Sequence, residues 1–270
     1  MSAIAGINIS ATLGGLRVDR CPRLTIESER HRPLSLGQMQ LPDPDGSLIN
    51  NISRGMEASI TFGYRGQTPA TWRGQVHEVT RGMARDQVDV RMQGLAEWPL
   101  ASTLITETWM DETPEAILRW AAGQCGVSVA TLDSPGITIP RVVASSIPLW
   151  KLAEQVAHTV QKASGQDMSA WPLWLGADGL HWGDHDEPGD VPVLETGKGL
   201  ITHNPLQDGG RSWGEVETFL LPGFAHSRRF RIVDSWRSIQ AQPRALRVTH
   251  EVTPDKARTW IRYGVEHERY

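Results

Sequence analysis

Ala58-Ser59-Ile60-Thr61-Phe62-Gly63-Tyr64 carries an apolar side chain at every second position, the first of three such runs between Gly55 and Val127. A period of two puts Ala58, Ile60, Phe62 and Tyr64 on one face of a sheet and leaves the other face polar. Trp72-Arg73-Gly74-Gln75-Val76 repeats the alternation, with a phase slip before Val79 of the kind a bulge produces. Val88-Asp89-Val90-Arg91-Met92-Gln93-Gly94 repeats it without a slip. Arg65-Gly66-Gln67-Thr68-Pro69 and Arg81-Gly82-Met83-Ala84-Arg85-Asp86 lie between the runs, polar and containing Gly or Pro, and read as hairpin loops. The three runs predict an antiparallel meander with one buried face.

A helix start follows the meander. Thr113-Pro114-Glu115 offers a hydroxyl at the N-cap, a proline where a missing N–H costs nothing, and a carboxylate in the positive first turn. Ile117, Leu118, Ala121, Ala122 and Cys125 form a stripe at helical spacing, and Gly126 supplies a left-handed C-cap. The helix is about three turns long.

In this order, Gly55, Ile60-Thr61-Phe62-Gly63-Tyr64, Trp72-Arg73-Gly74-Gln75-Val76, Val88-Asp89-Val90, Gly94, Thr113-Pro114-Glu115-Ala116-Ile117-Leu118 and Gly126-Val127 resemble the hub proteins at the baseplate of contractile phage tails. That group includes the Mu-like and late-control D proteins and the spike proteins of type VI secretion. No single piece is specific; the likeness lies in their sequence and spacing.

Outside the meander the same reading continues in both directions. Ile7-Asn8-Ile9-Ser10, Leu16-Arg17-Val18 and Leu24-Thr25-Ile26-Glu27 are short alternating strands, while Leu41-Pro42-Asp43-Pro44-Asp45-Gly46 reads as a turn cluster with no room for regular structure. About six turn-separated strands from Ile7 to Gly94 are the signature of a small barrel or sandwich. Ser134-Pro135-Gly136 and Ile139-Pro140 read as a linker, and a second helix begins near Pro148, with Leu149, Leu152, Ala153, Val156, Ala157 and Val160 on one face and Gly165 at its end. Trp171-Pro172-Leu173-Trp174-Leu175 and Leu180-His181-Trp182 flank Gly176-Ala177-Asp178-Gly179, a hairpin signal. From Pro188-Gly189-Asp190 the pattern is sparse until Phe219. Phe230-Arg231-Ile232, Leu246-Arg247-Val248 and Trp260-Ile261-Arg262-Tyr263 then form a second β unit.

The expected fold class is α+β, mainly β: a β-barrel-like domain over residues 1–110, a helix-containing middle domain with a hairpin over 111–190, and a second β-barrel-like domain over 191–270. The resemblance implies that the second β unit is a second barrel. It also implies a non-catalytic homotrimer that joins the tail tube to the spike, contacts other baseplate proteins and nucleates tube assembly. Such a subunit assembles in the host cytoplasm and resides in the virion. Two rival classes stay open: another tail ring or tube-initiator protein, commonly hexameric, and a tail-associated cell-wall hydrolase.

Composition limits the alternatives. A chain of 270 residues suggests about two domains, and 39% hydrophobic with 21% charged residues places it in the ordinary globular class. Eleven Trp against four Phe and three Tyr is unusual, and Trp is favoured where buried surface meets polar surface. A formal net charge of −4 provides no overall attraction to nucleic acid or an anionic membrane. Cys21 and Cys125 are too few for a disulfide framework and read as reduced, small hydrophobes. The start of the chain does not read as a signal peptide, because the first basic residue is Arg17 and Asn8 and Ser10 interrupt the apolar beginning. With no apolar run near the roughly 18 residues a span needs, no stable membrane insertion is expected.

Candidate chemistry is thin. His181-Trp182-Gly183-Asp184-His185-Asp186-Glu187 is the cluster with metal-ligand residue types. Gly183 and Pro188 argue for strand and loop, where His181 and His185 do not converge on one ion, so the expected reading is a solvated acidic loop and no metal, with an adventitious or structural cation as the alternative. Gly-x-Ser-x-Gly and Gly-Lys-Ser/Thr motifs are missing, and acid pairs such as Asp184 with Glu187 or Glu215 with Glu217 are common on surfaces, so neither catalytic nor cofactor-binding residues are expected. His226 to Arg262 holds nine Lys or Arg against three Asp or Glu. Arg229, Arg231 and Arg247 fall opposite Phe230, Ile232, Leu246 and Val248, so the basic residues line the outer face of a sheet. That face is read as solvated or subunit-contacting, with a lumen for DNA passage and direct DNA recognition as the alternatives. Trp171, Trp174 and Trp182 are read as core packing, with an interface anchor as the alternative.

Overall fold

The computed structural model describes residues 6–264 except 19–20, 83, 85 and 209–210. Its first β segment contains β1 (Ile7–Leu13), β2 (Leu16–Val18), β3 (Arg23–Glu29), β4 (Leu36–Pro42), the short helix α1 (Ser47–Asn51), β5 (Glu57–Tyr64), β6 (Ala70–Arg81) and β7 (Gln87–Gly94). The middle of the chain forms α2 (Trp98–Ser102), β8 (Leu104–Glu112), α3 (Pro114–Gln124), β9 (Val129–Leu132), β10 (Ile139–Pro148), α4 (Leu149–Ser164), β11 (Leu173–Leu175) and β12 (Leu180–Trp182). The last segment contains β13 (Val193–Thr196), β14 (Gly199–Asp208), β15 (Arg211–Phe219), β16 (Arg231–Asp234), β17 (Ile239–Ala241), β18 (Ala245–Val252) and β19 (Ala257–Tyr263). The protein is mainly β.

Two compact units emerge. The first unites residues 6–29, Ser35–Ala96 and Gly189–Gly264; the second takes Arg30–Leu34 and Glu97–Pro188. In the first unit the strands make one 14-stranded sheet in the order β17-β16-β13-β14-β15-β19-β18-β3-β4-β7-β6-β5-β1-β2. The terminal segments meet where β18 pairs antiparallel with β3, from Arg247 opposite Glu29 to Val252 opposite Leu24.

The meander forms as its alternation predicts. Ala58, Ile60 and Phe62 are buried with Val76, Val88, Val90 and Met92, and the register of β6 against β7 shifts between Val76 and Glu78, where the phase slip lies. Trp72 folds back over its own strand. Its ring occupies the space a Cβ on Gly74 or Gly37 would need, at 2.2 and 2.7 Å, while its indole N–H donates to Ser35 Oγ at 3.0 Å. The Trp-x-Gly spacing thus supplies an aromatic and the gap it fills on one face of the sheet.

In the second unit, Thr113 Oγ1 accepts from Ala116 N at 3.4 Å and caps α3, which buries Ile117, Leu118, Ala121 and Ala122. The α4 stripe buries Leu149, Leu152, Ala153, Val156, Ala157 and Val160, and Gly165 ends the helix at φ 75°. These faces share one core with Ile105, Val142, Leu173, Leu180 and Trp182. β8 pairs with β10, while β11, β12 and β9 make a small sheet in which β12 and β9 run parallel.

Four readings of the sequence need correction. Leu41 and Pro42 are strand rather than turn: β4 makes seven strands up to Gly94, and the turn begins at Asp43, whose carboxylate accepts from Leu48 N and Ile49 N at 2.8 and 3.0 Å. Gly37 weakened the alternation there, and the Trp72 ring compensates from the next strands. Ile139-Pro140 begins β10 rather than a linker. The sparse stretch before Phe219 holds β13, β14 and most of β15, whose pairing comes from neighbouring strands rather than from its own periodicity. Leu246 is half-buried and off the core, because β18 bulges between Ala245 and Arg247 and turns Ala245 inward instead.

Candidate functional site

The cluster around His181 is assembled by the β11–β12 hairpin and the loop that follows it. His181 is buried, 3% exposed, with its ring stacked on Trp174 at 4.1 Å and 8°. Its Nε2 meets Asp178 Oδ1 at 2.7 Å, and this bond holds the Asp178 carboxyl below the usual carboxylate range. The fully buried Arg30 donates to Gly183 O and His185 O at 3.1 and 2.9 Å and fixes the loop. The loop then returns Glu187 to the hairpin turn, where its Oε1 accepts from Ala177 N at 3.1 Å. His185 turns to Asp133, 2.9 Å away, and its ring lies 6.2 Å from that of His181. Asp184 is exposed as expected; His181 is a core residue rather than part of a solvated loop. Asp178 read in the sequence only as a turn former, and the signal that marks it is its spacing of three from His181.

The tryptophans around the hairpin are packing residues. Trp174 and Trp182 are 1% and 0% exposed, and Trp171 meets Trp182 edge-on at 5.2 Å. Cys125 lies in the same core, and burial pushes its thiol up; burial pushes the Cys21 thiol up to about 12, while its S–H donates to Arg23 O at 3.0 Å. A thiol pushed up in this way disfavours the thiolate, which is the nucleophilic form.

A second imidazole–acid pair was invisible in the sequence. His203 Nδ1 meets Asp234 Oδ2 at 2.8 Å and its Nε2 meets Tyr263 Oη at 2.7 Å, tying β14, β16 and β19 together. Burial alone would raise the Asp234 carboxyl, but hydrogen bonds from His203 and Arg237 outweigh it and hold it low. A cavity of about 190 Å³ opens beside this pair, lined by Thr196, Thr202, Trp236 and Arg237 among others. It falls short of the roughly 300 Å³ at which ligand pockets begin. Both imidazole nitrogens are engaged, and burial raises the Tyr263 phenol, so the group facing His203 is a poor nucleophile. The arrangement is a cross-strand tie.

The basic stretch becomes a ladder of ion pairs. Arg247 pairs with Glu27 at 2.5 Å, Arg258 with Glu217 at 3.3 Å, and Lys256 and Arg23 with Glu251 at 2.7 and 3.0 Å. Phe230, Ile232 and Val248 are fully buried beneath. Carboxylates on β3, β15 and β18 thus stand beside Arg247, Arg258 and Lys256, three of the nine cations of the stretch. Phe219 is 40% exposed beneath the Arg258 guanidinium, and other exposed apolar side chains lie elsewhere. On β8 and β10, Leu104, Met110 and Val143 are 60, 62 and 41% exposed, and the alternation puts Leu104 and Met110 on the outer face opposite buried Ile105. Trp236, in the turn between β16 and β17, is 81% exposed.

Among the described residues no helix is long and apolar enough to cross a membrane. No protein-family model matches the sequence. No curated protein matches it either. Solved structures do match. A tail protein from Neisseria meningitidis MC58 superposes with a TM-score of 0.68 at 13% identity, over 96% of each chain. The 43 kDa tail protein of prophage MuSo2 from Shewanella oneidensis gives 0.70 at 10% identity, over 97% of this chain and 99% of the other. The E. coli c3393 protein, a type VI secretion component described as structurally similar to the T4 tail proteins gp27 and gp5, gives 0.63 at 9% identity, over 94% of this chain and 76% of its own. The chain therefore has the fold of phage tail proteins and of a type VI secretion component, in agreement with the resemblance read from its sequence.

Proposed function

We propose that this chain is a non-catalytic structural subunit of a phage tail baseplate, a hub that assembles as a homotrimer, joins tail tube to spike and resides in the virion. The observation that carries the reading is the end-to-end match to two tail proteins, which leaves almost none of the chain for an added catalytic module. Three copies presenting two similar β modules each would give a ring for the tube to stack on. The strand order supports the two modules. Seven strands, β17 to β18, gather around Val216, Phe230, Ile232, Val248 and Ile261, and seven more, β3 to β2, around Leu24, Met39, Ile60 and Val90. We read these as the two barrel-like domains, with the helical segment inserted between them in sequence.

In this reading the outer face of β8 and β10 contacts a neighbouring subunit, where burial of Leu104, Met110 and Val143 is repeated by symmetry. The ion-paired sheet face is surface or lumen wall along which DNA passes rather than a DNA-reading element. Mass measurement of the purified protein, alone and with tube and spike proteins, tests the assembly: three copies support the hub. Six copies would point to a ring or tube-initiator protein, and a persistent monomer with cell-wall-degrading activity would overturn the structural reading.

A further inference from the structure

We propose that Asp178, His181 and Glu187 bind one first-row divalent cation, with Zn²⁺ the best-matched ion, and that the ion clips the loop after β12 to the hairpin turn. One ligand atom from each of the three lies within 4.8 Å of the others. Tetrahedral Zn²⁺, with ligands at about 2.0–2.1 Å, holds them about 3.3 Å apart, so side-chain adjustment of an ångström or so closes the set.

Proximity is not the whole argument. The His181 imidazole is 97% removed from solvent, its plane is set by the stacked Trp174 ring, and its Nε2 faces the Asp178 carboxylate at 2.7 Å, on the side where Glu187 and Gly176 lie. Glu187 brings a carboxylate of which Oε1 is occupied by the Ala177 N–H while Oε2 is buried with no hydrogen-bond partner among the described residues. A carboxylate oxygen shielded from water and left without a donor is costly, and a cation at that point relieves it. Gly176 keeps the space open: a Cβ there would lie 2.3 Å from Glu187 Oε2 and 3.0 Å from His181 Nε2. Asp178 closes the set from the solvent side, its side chain 53% exposed, which leaves an entry path and a fourth position for water.

The donor set decides the class of ion. Two carboxylates offset the two positive charges, and an imidazole favours Zn²⁺ and its neighbours over Mg²⁺ or Ca²⁺, which prefer oxygen alone. Three ligands spread over ten residues, on the hairpin turn, β12 and the loop after it, make the ion a local staple, independent of copy number.

Titration of chelator-treated full-length protein with Zn²⁺ tests this by calorimetry and thermal melting. The expected result is one ion per chain and a rise in Tm, with affinity falling by at least about tenfold in each of Glu187→Gln, Asp178→Asn and Gly176→Ala, and unchanged in His158→Ala on the exposed face of α4. Circular dichroism confirms that each variant is folded, and Glu187→Gln keeps side-chain shape while removing the charge. Absence of binding, affinity unchanged in both Glu187→Gln and Asp178→Asn, or tighter binding of Ca²⁺ than of Zn²⁺ would each overturn the proposal. Copy number does not enter the readout, so a failure here and a failure of the hub reading are separate results.

Discussion

His250 shows what one buried side chain contributes. Its Nε2–H donates to Phe224 O at 2.9 Å and its Nδ1 faces the Thr259 hydroxyl at 2.9 Å, whose oxygen accepts from Leu221 N. Burial penalises the charged ring and lowers its pKa from 6.5 to about 4, so between those values the unfolded chain binds the extra proton. Stability from this group is complete above pH 6.5 and is lost as pH falls toward 4, by about 3 kcal/mol in all. His250→Gln keeps a donor and an acceptor but does not titrate. Urea unfolding at pH 7 and pH 4.5 is expected to show a smaller acid loss for this variant than for wild type. Arg30 is the charged counterpart: Arg30→Ala strands two loop carbonyls and is expected to cost about 2–4 kcal/mol. Little of this was legible in the chain. His250 alternates like any strand residue, and nothing near Arg30 in sequence marks it as buried, because its partners lie more than 150 positions away.

The elements were easier to read where one face alone decides them. The α4 stripe and the meander carry their periods in full, and a cap such as Thr113 is local chemistry. Thr113→Ala is expected to lower stability by about 1 kcal/mol in denaturant titration. Trp72 and its two glycines belong to the same scale. A methyl on Gly74 would meet the Trp72 ring and Gln93 O, the latter at 2.9 Å on the backbone, so relief requires the sheet itself to shift. Gly74→Ala is therefore expected to cost about 1–3 kcal/mol and lower the melting temperature, while Trp72→Ala with it costs less than the sum of the two. β13, β14 and the start of β15 lay outside this kind of reading. Their order comes from being paired on both sides, and a strand whose neighbours supply its stability needs little alternation of its own.

At the scale of the molecule, the β18–β3 ladder determines the layout, bringing residues 220 positions apart into register, as Arg247 and Glu27 show. It also answers the charge question. Once Glu27, Glu217 and Glu251 stand beside Arg247, Arg258, Lys256 and Arg23, the face carries both signs, and the free protein is expected to show no salt-sensitive DNA binding in a filter or anisotropy assay. If the outer face of β8 and β10 is a subunit contact, Leu104→Asp with Met110→Asp is expected to shift the mass from three copies to one without lowering the melting temperature of the single chain, since both side chains are more than half exposed.

By itself the sequence determined the period of each amphipathic element, the caps and hairpins that end them, and the order of pieces that resembles tail hubs, because those signals act within a few residues. Only the tertiary structure decided that the terminal β segments share one sheet, that His203 finds Asp234 and Tyr263, and that Glu187 returns to His181. Such contacts depend on chain paths closed over long separations, and no local pattern encodes where a distant segment will lie.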